Sequence, residues 1–135
     1  MSREIKFRAW HILFGPKGSM QEMLYRKASS ILAFAEMSPD KYIVEQFTGL
    51  KDMNGKDIYE GDIIKVSDET GSSFVSVVKY FSYDDYPAFD LDPQYIPIDW
   101  YFESNILSTL KDDRNEIKVV GNVHANPELL EESNE

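Results

Sequence analysis

The sequence predicts a mainly β protein: an SH3-like small barrel, with an N-terminal β lobe before it and a short C-terminal helix after it. Three observations point there. Short runs alternate apolar with polar residues, as in Ile5-Lys6-Phe7-Arg8-Ala9 and Ile117-Lys118-Val119. The breaks between runs are rich in Gly, Asn, Asp and Pro, the residues that tight turns need. The strands of the second half are too short to hold together as an open sheet, and curling them into a small barrel removes exposed edges.

The elements follow in order. Glu4 to Phe14 reads as a strand with Ile5, Phe7, Ala9 and His11 on one face and Lys6, Arg8 and Trp10 on the other. Gly15-Pro16-Lys17-Gly18-Ser19 is a loop, and Met20 to Lys27 returns as a second strand. Ala28 to Met37 leaves helix and strand open, since Ile31, Leu32, Phe34 and Ala35 also suit a short helix; Ser38-Pro39-Asp40 closes it. Tyr42 to Phe47 is a strand leading into FTGLKDMNGKDIYEGDIIKV, a stretch with three glycines. Asp52, Asn54 and Gly55 have the chemistry of a tight hairpin turn, and Gly61 with Asp62 forms a second turn before the β-branched run Ile63 to Val66.

Ser67 to Ser73 turns into the strand Phe74 to Phe81. Ser82 to Tyr101 is an irregular excursion with one or two short strands, Ala88 to Leu91 among them and another around Asp99 to Glu103. Ile106 to Leu110 suits one helical or 3₁₀ turn before the closing strand Glu116 to His124. Asn126-Pro127-Glu128 starts a helix, with Asn as cap and Pro at the first helical position, and Glu131 to Glu135 frays. The organisation is then a β lobe with an insertion over 1–46, a barrel over 47–130 and a tail over 131–135, one compact unit overall.

Composition narrows the function. The chain has 135 residues, 42% of them hydrophobic and 13% aromatic, enough to bury a core. It has no cysteine, which excludes disulfides, thiolate metal sites and cysteine nucleophiles. No span approaches the roughly 20 apolar residues of a membrane helix, and the N-terminus lacks the apolar run of a secretion signal, so a cytoplasmic protein is expected. A formal charge of −10 argues against a surface that neutralises phosphates throughout. The charge is uneven: Arg3, Lys6, Arg8, Lys17, Arg26 and Lys27 lie near the start, whereas Asp84 to Glu103 carries six acids and no base.

No chemical constellation emerges from the candidates. A phosphate cradle needs a glycine-rich strand-to-helix turn with Lys followed by Ser or Thr, whereas Gly55-Lys56-Asp57 is followed by a strand. Glu60 and Asp62, or Asp84, Asp85, Asp90 and Asp92, could converge as acid and base or as oxygen ligands, but Asp is also an ordinary turn residue. His11 and His124 without a third ligand make a poor zinc site. No cofactor or metal is therefore expected. The aromatic, acidic region containing Tyr83, Tyr86, Tyr95, Trp100 and Tyr101 offers a protein-binding face. A basic edge made of Arg3, Lys6, Arg8 and Lys17 offers an alternative nucleic-acid face.

The pieces Ile5-Lys6-Phe7-Arg8-Ala9-Trp10, Phe47-Thr48-Gly49-Leu50-Lys51-Asp52, Asn54-Gly55-Lys56-Asp57-Ile58-Tyr59-Glu60-Gly61-Asp62-Ile63-Ile64, Val120-Gly121-Asn122-Val123 and Asn126-Pro127-Glu128-Leu129-Leu130 resemble the YopX family of phage and prophage proteins, in order and over nearly the whole chain. The resemblance implies a mainly β fold with an SH3-type barrel, encoded by a phage or prophage and working in a bacterial cytoplasm. It implies no activity and carries no catalytic residues. The chain departs from the family pattern in its insertion before Phe47 and its aromatic, acidic stretch after Tyr80. The expectation is a non-enzymatic accessory protein that binds a host or phage protein or itself. A nucleic-acid-binding module, or an acidic mimic of nucleic acid aimed at a host protein, is the alternative.

Overall fold

The alternation at the N-terminus becomes strand β1 (Phe7–Ile12), in which Arg8, Trp10 and Ile12 share one face and Phe7, Ala9 and His11 the other. The structure, a computed structural model, describes residues 5–12, 21–81, 88–97 and 115–132. The chain forms two compact units, Met1–Gly49 and Leu50–Glu135. The division falls within a strand.

In the first unit β1 is flanked on both sides by antiparallel partners, β2 (Gln21–Tyr25) and β3 (Tyr42–Lys51). Helix α1 (Ala28–Met37) connects them, so the segment whose pattern suited either state is helical. Its start carries no side-chain cap, and it stops at Ser38, whose N–H donates to the Phe34 carbonyl, one residue before Pro39. Ile31 of α1 is fully buried. Phe34 stacks on Tyr42, which stacks in turn on its cross-strand partner His11 with ring centroids 4.6 Å apart. On the opposite face of β1, Arg8 is buried beside its cross-strand partner Glu45, with Nε 2.8 Å from Oε1.

The second unit is a curled half-barrel sheet ending in a short helix, and the protein as a whole is mainly β. After β4 (Asp57–Tyr59) come β5 (Asp62–Ser67), β6 (Ser73–Phe81), β7 (Ala88–Leu91), a 3₁₀ turn (Pro93–Tyr95), β8 (Glu116–Asn122) and α2 (Glu128–Glu132). The sheet order is β7-β6-β5-β8, antiparallel throughout, with a bulge in the β5–β8 register between Ile63 and Ile64. Ile58, Ile64, Val66, Phe74, Val78, Leu91, Ile117 and Val119 form the main core, and Ile63, Val77 and Leu130 a smaller one. The expected elements at Asp99 to Glu103 and Ile106 to Leu110 lie outside the described residues.

The C-terminal motif departs from its expected role. Asn126 does not cap α2 with its side chain; its Oδ1 turns back to accept the Asn122 N–H at 3.3 Å. Asn122 Oδ1 accepts from His124 and Ala125 N–H, so the strand ends in a knot of amide contacts and His124 lies in a turn beyond it. The knot presses on Gly121, where a Cβ would come within 2.6 Å of Asn126 Oδ1.

Candidate interaction surface

Helix α1 is built almost without charge, as Ala-Ser-Ser-Ile-Leu-Ala-Phe-Ala-Glu-Met. Ile31, Phe34 and Ala35 lie inward or half-covered, whereas Ser29, Leu32, Ala33, Glu36 and Met37 are exposed at the spacing of one helix face. Leu32 is 45% and Met37 82% exposed. An amphipathic surface helix normally turns a polar face to water; here the outward face is largely apolar as well. Leu32, Ala35 and Glu36, together with Pro39, line a shallow open depression beside it. The sequence showed the apolar residues of this segment, but the helix-or-strand ambiguity hid which of them face outward.

The charges at the ends of α1 oppose the helix dipole. Arg26 and Lys27 stand at the N-terminal end, where partial positive charge from free N–H groups already accumulates, and the first turn has no acid. The last turn has no base, and Glu36 stands there instead. Each mismatch is mildly unfavourable in an isolated helix.

Among the aromatic candidates, Tyr95 is half-buried and packs against the Ile63, Val77 and Leu130 cluster, so part of its ring belongs to the core. Tyr83, Tyr86, Trp100 and Tyr101 lie outside the described residues. At the described margin of that region, Tyr80 is 47% exposed and meets Phe89 edge-on at 5.1 Å. Of the basic set, Arg3 and Lys17 also lie outside the described residues. Arg8 is 2% exposed and paired with Glu45, and the Lys6 ammonium sits 5.0 Å from the centre of the Phe47 ring. Both described members are thus engaged within the first unit. A period-two pattern places Arg8 on a face but says nothing of whether that face is covered.

Asp52 and Asp62 hold turns, and Asp52 also reaches a distant strand. Asp52 is buried, and its Oδ1 accepts N–H bonds from Asn54 and Lys56 at 2.9 Å each, which shapes the turn that Gly55 completes at φ 79°. Its Oδ2 accepts the Val119 N–H at 3.0 Å, tying this turn to β8. Burial pushes the Asp52 carboxyl up, but the Val119, Lys56 and Asn54 N–H groups and the nearby Lys56 charge outweigh it and hold the pKa below its ordinary value. Asp62 Oδ2 accepts the Tyr59 N–H at 2.8 Å. In that turn Gly61, at φ 88°, donates its N–H to the Val78 carbonyl and accepts from Val123.

Asp90 Oδ1 accepts the Leu91 N–H, and Asp92 accepts the Gln94 N–H and meets Lys79 Nζ at 2.7 Å. Burial works against the charged Asp92, yet the Lys79 and Gln94 contacts prevail and its pKa also lies low. No group of three or more metal-ligating side chains occurs among the described residues. Asp62, Asp90 and Asp92 of the candidate set are thus each turned to a nearby backbone N–H.

A search of curated proteins found no match to the chain. A solved structure, "Crystal structure of protein EF1440 from Enterococcus faecalis", is similar to it at 26% identity and a TM-score of 0.51, covering 96% of this chain and 99% of that one. Its title names no activity. The family model described as YopX protein matches residues 6–131, the span over which the turns, strands and C-terminal amide knot have been traced. By that match over nearly its entire length, the chain belongs to the YopX family.

Proposed function

We propose that this YopX-family chain is a phage or prophage accessory protein that works in a bacterial cytoplasm by associating with protein, without catalysing a reaction. The observation that supports the reading best is the outward face of α1, where Leu32 and Met37 stand exposed on a helix with a single charged residue. Apolar surface of this kind on a soluble unit marks contact with another macromolecule more often than it marks chemistry. The carboxylates of Asp52, Asp62 and Asp92 add to this, since they are bound into turns.

The test compares wild type with two variants, Leu32→Glu/Met37→Glu on α1 and Tyr86→Ala/Trp100→Ala/Tyr101→Ala on the aromatic segment. Each is first checked for folding by circular dichroism. Chemical crosslinking of the purified chain and capture from host lysate then report its contacts. Contacts made by wild type and lost by a folded variant support association through that face. An identical set of contacts in wild type and both variants overturns it.

A further inference from the structure

We propose that the outward face of α1 pairs with the same face of a second copy of this chain, the two helices running antiparallel about a two-fold axis. The inference rests on the association reading above and commits it to one partner.

The argument is charge complementarity. Within one chain the ends of α1 carry the wrong signs: Arg26 and Lys27 at the positive end of the dipole, Glu36 at the negative end. An antiparallel pair turns each mismatch into an attraction. Glu36 of one copy comes to the N-terminal end of the other, near its free N–H groups and its Lys27, and the symmetry makes the contact twice. The spacing fits. At about 1.5 Å rise per residue, a crossing centred on Leu32 and Ala33 sets each Glu36 beside the partner's Ser29, in the first turn where the free N–H groups lie and next to the end that Arg26 and Lys27 flank.

The centre of the face suits the same geometry. Ala33 is small enough to let two helix axes approach closely, while Leu32 and Met37 provide apolar surface that is exposed in the single chain. A chain of net charge −10 repels its own copies at long range, so self-contact favours a patch that is nearly uncharged and locally self-complementary. A ten-residue helix buries little area, which places the dimer among weak, transient associations, with a dissociation constant of about 10 μM or weaker.

Sedimentation velocity of the full chain over a concentration series tests this with Lys27→Glu, Glu36→Lys, the double variant and Leu32→Glu. Both charge reversals agree with the helix dipole, so each preserves or strengthens α1 in the monomer, which circular dichroism verifies. Wild type should dimerise; each reversal should weaken dimerisation about tenfold, the double variant should regain part of that loss, since the exchanged charges attract again while Glu36→Lys no longer suits the partner's free N–H groups, and Leu32→Glu should abolish it. A wild type that stays monomeric to about 0.5 mM overturns the proposal. Dimers indifferent to the single reversals, or a double variant no better than the singles, overturn it equally. A monomeric chain that still loses contacts on Leu32→Glu/Met37→Glu refutes self-pairing but leaves the broader association reading standing.

Discussion

Asp52 joins its own turn to a strand far along the chain, and its replacement should be felt at both. Asp52→Asn loses part of the set of backbone donors held by the carboxylate and should lower unfolding free energy by about 2–3 kcal/mol in urea titrations. The pH dependence follows from the lowered pKa of Asp52: the unfolded chain binds its proton more readily than the folded chain, so stability rises with pH through this range. The contribution is complete above the unfolded value of about 4 and is lost as pH falls through the lower folded value. The gap between wild type and Asp52→Asn should therefore close in acid, and a gap that stays constant from neutral pH down to about pH 2 would refute the assignment. Gly121→Ala should destabilise by about 1–3 kcal/mol by forcing Asn126 aside. Thermal melts of Gly121→Ala in an Asn126→Ala background should show a smaller penalty than in wild type. The turn role of Asp52 was legible in Asp-Met-Asn-Gly; its bond to Val119, 67 residues away, was not, because local pattern carries no information on distant partners.

Single elements show the same limit. Arg8 and Glu45 face each other across β1 and β3, and the alternation that located both strands gave no sign that the two charges meet under cover. Either single change breaks a buried ion pair, so Arg8→Met or Glu45→Leu alone should cost about 3–5 kcal/mol. The double variant should recover much of that loss, and a double-mutant cycle with no coupling would contradict the pairing. In α1 the composition allowed two states, and what selects the helix is non-local: Ile31 buried in the unit and Phe34 lying on Tyr42. Ile31→Ala should destabilise by about 2–4 kcal/mol in chemical denaturation, whereas the exposed Ala33→Ser should stay within about 0.5 kcal/mol of wild type.

At the scale of the molecule, the mainly β half-barrel with its short terminal helix was readable from turn chemistry and alternation, because both are local and repeat along the chain. The candidate surface was not, because exposure depends on which faces tertiary packing leaves open. With a net charge of −10, Arg8 paired to Glu45 and Lys6 lying over Phe47, the chain should show no binding to single- or double-stranded nucleic acid by fluorescence anisotropy, even at low ionic strength. Salt-sensitive binding lost on Lys6→Ala would reverse that conclusion. The clasp between Asp52 and Val119 also bears on synthesis at the ribosome. A nascent chain halted before Glu116 has made β5, β6 and β7 but lacks the strand that pairs with β5, so its half-barrel waits, open-edged, for translation to finish.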